Sequence, residues 1–96
     1  NSIDFILHQN FPNPFNSSTI IKYSIPNAGN ESLPPLPVTL KVYDILGNEI
    51  VVLVSEEKPA GNYEVMFDAV GLASGVYFYK LSSGGNIQTR KLIFMK

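Results

Sequence analysis

Apolar and polar residues alternate along most of the chain. Ile21, Tyr23 and Ile25 are interleaved with Lys22 and Ser24. Val38, Leu40 and Val42 are interleaved with Thr39 and Lys41, and Tyr63, Val65 and Phe67 with Asn62 and Glu64. Successive side chains on a strand point to opposite faces, so each run presents one apolar face. Ile50 to Val54 is apolar on both faces and β-branched, which predicts a strand covered on both sides. Tyr77, Tyr79 and Leu81 share one face and Val76 and Phe78 the other, and Leu92 to Met95 is apolar again. Gly47-Asn48, Lys58-Pro59-Ala60-Gly61, Gly71 to Gly75 and Gly84-Gly85-Asn86 separate these runs as turn signals do. The pattern predicts about seven strands, near 5–10, 18–25, 37–44, 49–55, 62–68, 75–82 and 86–95, and no helix. Seven short strands at this spacing predict an all-β chain folded as an immunoglobulin-like antiparallel sandwich.

One stretch breaks the rhythm. Residues 27–37 (NAGNESLPPLP) are rich in Pro, Gly and polar residues and predict a stiff connector, although the spacing also fits a PxxP ligand. At 96 residues the chain is one domain's worth, and its first residue, Asn1, suggests a piece of a longer protein. Its longest apolar run falls far below the roughly 18 residues of a spanning helix, so insertion into a membrane by a helix is not expected.

Composition narrows the chemistry. Seven basic and eight acidic residues give a net charge of −1, which argues against a nucleic-acid-binding face. There is no cysteine, hence no disulfide, thiolate metal site or thiol nucleophile, and no cofactor motif. His8 is the only imidazole and reads as a half-exposed strand residue; with no G-x-S-x-G elbow, a Ser-His-Asp relay has no support. Glu56 and Glu57 are adjacent, so a strand would face them oppositely rather than across a glycosidase cleft. Asp44 to Glu49 holds oxygen ligands but lacks the calcium-loop register. Asp44 is better read as a strand end bonding its own turn, with Gly47 supplying a positive φ, and Asp68 as its counterpart before Gly71–Gly75. Asn16-Ser17-Ser18 and Asn30-Glu31-Ser32 match the short N-glycosylation pattern, which arises often by chance. The residues therefore predict a non-enzymatic domain.

Two local features stand out. In Phe11-Pro12-Asn13-Pro14-Phe15-Asn16 the prolines stiffen a corner flanked by two aromatic plugs, with Asn13 and Asn16 placed to bond nearby amides as Asx-turns. This predicts a lid over one end of the core or, in the alternative, an exposed aromatic recognition corner. At the other end, three of the seven basic residues, Arg90, Lys91 and Lys96, flank Leu92, Ile93, Phe94 and Met95. That tail reads either as a last strand with charges that block edge pairing or as a terminal tag read by a partner.

These same segments resemble the C-terminal sorting domain of cargo of the type IX secretion system of Bacteroidetes and their relatives. QNFPNPFNSSTIIKYSIP (9–26) is similar to that family's opening motif and VTLKVYDILGNEIVVLV (38–54) to its central hairpin. GNYEVMFDAVGLASGVYFYKL (61–81) is similar to the next strand pair and TRKLIFMK (89–96) to the closing tail. The departures are Phe11, where the family usually has Tyr, Ser17, where it often has Pro, and a longer 27–37 loop. The flagellar hook-capping protein's Ig-like domain is similar in VYDILG and SGVYFY, but the NPF corner and basic-ended tail favour the sorting domain. The resemblance implies a cargo fused ahead of this domain and recognition by the outer-membrane translocon. It also implies a surface sortase-like peptidase that removes the domain, and a secreted or cell-surface destination in a Gram-negative bacterium. It implies that Arg90 to Lys96 carry the recognition and that Gly47, Asp68 and Gly75 keep the turns. A last strand at the chain end would display an edge for strand addition by a partner. The competing function is an adhesive or carbohydrate-associated Ig-like module of a secreted enzyme, with Tyr23, Tyr43 and Tyr63 as its aromatic platform.

Overall fold

The computed structural model describes residues 4–26 and 34–96. Seven strands form: β1 (Ile6–Leu7), β2 (Ser18–Ile25), β3 (Leu36–Tyr43), β4 (Glu49–Lys58), β5 (Gly61–Asp68), β6 (Gly75–Ser83) and β7 (Asn86–Phe94). They make two antiparallel sheets, a three-stranded one in the order β1-β2-β5 and a four-stranded one in the order β4-β3-β6-β7. The predicted sandwich is therefore observed, with β1 shorter and β4 longer than the pattern suggested. The 27–33 part of the Pro-rich connector and the Asn30 glycosylation pattern lie outside the described residues.

The alternation positions the core. Ile21, Tyr23 and Ile25 of β2 face Val38, Leu40 and Val42 of β3, Tyr77, Tyr79 and Leu81 of β6, and Leu92 and Phe94 of β7, all buried. Burying such a side chain contributes about 1.5–3 kcal/mol, and the core of a chain without disulfides rests on this set. Two tyrosines also tie corners. The Tyr77 hydroxyl donates to the carbonyl of Ala73, four residues upstream, at 2.7 Å, an arrangement typical of immunoglobulin-like sandwiches. Tyr63 does the same to Pro59 across the β4–β5 corner, with the Lys58 ammonium 4.6 Å from the centre of its ring.

Pro37 sits inside β3 without breaking the sheet. It pairs with Glu57 of β4, while the ladder between β3 and β6 starts one residue later, at Val38↔Ser83. The missing N–H thus falls outside the β3–β6 ladder. The β6–β7 hairpin turns on Gly84 and Gly85, whose φ of 56° and 90° match the doubly left-handed turn favoured by strand twist.

One expectation is overturned. Ile50 to Val54 is not covered on both sides, because β4 is an edge strand. Leu40 pairs with Val54 but Lys41 with Val52, and Val42 pairs with Val51 but Tyr43 with Glu49. Leu53 and Ile50 are therefore the extra residues of two bulges. A bulge resets the inward–outward alternation. Val51, Leu53 and Val54 pack partly against the core, and Ile50 and Val52 remain about 40% exposed (38% and 41%).

Candidate functional site

The corner from Gln9 to Asn16 links β1 to β2 and lies beside the end of β7. Its organiser is Asn10, which is 2% exposed. The Asn10 amide nitrogen donates to the Pro12 carbonyl at 3.1 Å and to Thr19 Oγ1 at 3.0 Å, and Thr19 Oγ1 donates to the same carbonyl at 2.8 Å. The Asn10 backbone N–H donates to the Tyr79 hydroxyl, which in turn donates to the His8 carbonyl, at 2.8 and 2.7 Å. Tyr79 thereby pins the corner across the sandwich to the four-stranded sheet. Burial pushes the Tyr79 hydroxyl pKa above its usual value of 10.0, despite the opposing effects of the Asn10 N–H and of Arg90. Both X-Pro bonds of the corner are cis.

The two aromatic plugs divide. Phe15 is 3% exposed and packs edge-on to Phe67 and tilted against Phe94, at centroid distances of 6.0 and 5.2 Å. It is the lid. Phe11 is 78% exposed and belongs to no plug. It pairs with Ile20 through both backbone hydrogen bonds, and Ile20 faces Met66 of β5, so the three form an apolar row on the outer face of the three-stranded sheet. The expected Asx-turn of Asn13 is replaced by a contact 80 positions away, with Asn13 Oδ1 accepting from the Ile93 N–H at 3.0 Å. Asn16 lies exposed beside Phe15.

That contact is one of a series along the outer edge of β7. Gln9 Nε2 donates to the Lys91 carbonyl at 2.7 Å. The Phe15 N–H donates to the Ile93 carbonyl at 3.1 Å, and the Met95 N–H donates to the Phe15 carbonyl at 2.8 Å, a short parallel bridge. The Lys96 N–H donates to Ser74 Oγ at 2.9 Å. Further back, Gln88 accepts from the Leu7 N–H at 2.8 Å and donates to the Phe5 carbonyl at 2.9 Å, and Arg90 Nε donates to the Leu7 carbonyl. The edge expected to be open for strand addition is therefore closed over residues 91–96 by the chain itself. Of the backbone groups a partner strand would use there, the Lys91 and Ile93 carbonyls and the Ile93 and Met95 N–H groups already have partners.

The tail residues divide by burial. Leu92 and Phe94 are core, Ile93 is half-buried, and the exposed Arg90 is bound to β1. Lys91, Met95 and Lys96 are exposed, and among the described residues neither lysine makes an ion pair. Met95 and Lys96 share a shallow open groove of about 480 Å³ with Pro12, Pro14, Phe15 and Asn16.

The turn residues lie elsewhere. Asp44 Oδ1 accepts from the N–H groups of Leu46 and Asn48, each at 2.9 Å, and Oδ2 accepts from the Asn48 side-chain amide at 3.1 Å. The Asn48 N–H leads the contacts that hold this carboxyl below its usual 3.8. Gly47 has φ +89°. Asp68 Oδ1 accepts from the Val70 N–H at 3.0 Å. Gly75 opens β6, opposite Phe94. The three tyrosines suggested as a sugar platform do not form one. Tyr23 is buried under Tyr63 (rings 5.5 Å apart), and Tyr43 is on the other sheet with Lys80 above its ring. Glu56 pairs with Lys58 at 2.8 Å, and no group of three or more His, Cys, Asp or Glu residues converges as a metal site among the described residues.

The pattern alone did not single out Asn10, Gln9, Thr19, Ser74 or Gln88, and it marked Tyr79 as a face residue without the hydroxyl bonds it makes to the corner. The double proline after Gln9-Asn10 was the one local hint that backbone groups there would need side-chain partners.

Comparisons place this geometry. The sensor domain of the anti-sigma factor RsgI4 from Pseudobacteroides cellulosolvens is similar in structure, with a TM-score of 0.66 at 11% identity, over 96% of this chain and 95% of that one. Identity that low speaks to the fold alone. No curated protein matches. A family model described as "Secretion system C-terminal sorting domain" matches residues 9–95, from the Gln9 corner to the tail it closes upon. The chain belongs to that family, the non-catalytic C-terminal signals that send a fused cargo through the outer membrane of Gram-negative Bacteroidetes by type IX secretion.

Proposed function

We propose that residues 1–96 act as a single sorting domain whose tail, Arg90 to Lys96, is the part read by the export machinery. Within it, Lys91, Met95 and Lys96 make the contact and Leu92 and Phe94 hold them in place. The observation that carries this reading is the division of the tail into a buried set and an exposed set beside the Pro12–Pro14 corner. A surface sortase-like peptidase then removes the domain from its cargo. Gly47, Asp44, Asp68 and Gly75 serve the scaffold rather than recognition.

Deleting the tail would remove Leu92 and Phe94 from the core, so loss of export would not separate recognition from folding. The discriminating variant is Lys91→Glu/Met95→Ser/Lys96→Glu, which touches exposed side chains only. A reporter fused to this triple variant is expected to stay in the periplasm of a type IX-competent host, with expression and melting temperature unchanged. Normal export would show that the tail surface is not what is read.

A further inference from the structure

We infer that the opening motif is a built-in clamp that positions the tail, with Asn13 as its key positioning residue, rather than a second surface read by a partner. The inference rests on the reading of the tail given above. An export signal read in folded form must hold its contact groups in one place. Here residues 91–96 are tied at five points. Gln9, Asn13 and Phe15 supply four bonds to Lys91, Ile93 and Met95, and Ser74 the fifth, to Lys96. The clamp has a rigid base. Phe15 is buried between Phe67 and Phe94, and the Asn10–Thr19–Pro12 network fixes the path of the chain between Gln9 and Asn13. The aromatic of the motif that a partner could most easily touch, Phe11, is bridged to Ile20 of the three-stranded sheet and is not among the residues lining the groove beside Met95 and Lys96.

A clamp and a recognition patch make opposite demands on two residues of the same motif. A clamp needs the Asn13 oxygen and is indifferent to the Phe11 ring, whereas a patch needs the ring. Asn13→Ala removes the acceptor of the Ile93 N–H, Asn13→Asp keeps an oxygen there, and Phe11→Ser removes only exposed surface. Amide exchange measured on this chain is expected to be about fivefold faster at Ile93 in Asn13→Ala, the worth of one ordinary hydrogen bond, with Leu92 and Tyr79 unchanged. Export of a fused reporter is expected to fall by a similar factor, to recover in Asn13→Asp, and to be unaffected in Phe11→Ser. Unchanged protection of Ile93 in Asn13→Ala would overturn the clamp, as would faster exchange with full export. Loss of export in Phe11→Ser equal to that in Asn13→Ala would overturn it in favour of a surface patch. The tail triple variant, run alongside, separates the two ideas. If it is retained while Asn13→Ala is exported normally, only the clamp fails; if it is exported normally, the reading of the tail fails first.

Discussion

The four-stranded sheet has two edges, and the chain treats them differently. On β7, side chains and backbone from residues 7–15 and 74 reach the edge groups. On β4, two bulges distort the edge, and Glu49, Glu56, Glu57 and Lys58 bracket its apolar centre. Both devices discourage unwanted strand pairing. The first also fixes the position of the strand it protects, and the second does not. Position matters where a partner reads the strand, and the motifs that resemble the sorting family most specifically are those that meet at β7.

The sharpest way to break this contrast is to empty the lid. Phe15→Ala is expected to cost about 3–5 kcal/mol, the usual loss for a fully buried phenylalanine, measured by urea unfolding. Val52→Thr on the β4 edge is expected to stay within about 0.5 kcal/mol. Equal losses would mean that the two edges are equally important to the fold. Next is Tyr79→Phe, which leaves the buried Asn10 N–H without its acceptor and is expected to cost about 1–3 kcal/mol. Tyr63→Phe, whose hydroxyl bond is solvent-exposed, is expected to cost less than about 1 kcal/mol by the same measurement. Gly47→Ala, in the hairpin that joins β4 to β3, forces a side chain into a left-handed conformation with open space around it, at about 1 kcal/mol. For a domain this size that lowers the melting temperature by roughly 4–8 °C.

The smallest effect is on pH dependence. The folded-state pKa of Asp44 is depressed, so its contribution is present above the unfolded value near 3.8 and is lost as pH falls through the folded value. Asp44→Asn is expected to flatten the acid limb of stability in that window while leaving the β7 side of the molecule unchanged, as monitored by amide exchange at Ile93.

Most of the sandwich was legible because alternation is a local property. Tyr77, Tyr79 and Leu81 announce their buried face within five residues of sequence. The Asp44 turn was legible for the same reason, since all its hydrogen-bond partners lie within four positions. Ile50 to Val54 was misread because an apolar run looks the same whether it is buried twice or bulged at an edge, and only the pairing register distinguishes them. Asn13 was misread for a related reason. Its side chain can bond its own turn or a strand from the far end of the chain, and sequence favours the near partner by default. Phe11 and Phe15 are the same residue type four apart, yet one is core and the other surface, because the corner turns between them.

The bonds that tie Phe5 and Leu7 to β7 join residues 81 to 83 positions apart. Contacts of such long range slow folding, because most of the chain must be ordered before they form. They also mean that the sandwich cannot close until its final strand exists. A polypeptide interrupted before residue 86 has no partner for the β6 edge, none for the Phe5 and Leu7 backbone, and no Phe94 beneath Phe15. Completion of this fold is therefore a record of synthesis through Phe94: the domain that addresses the cargo for export takes its final shape only once β7 has been made.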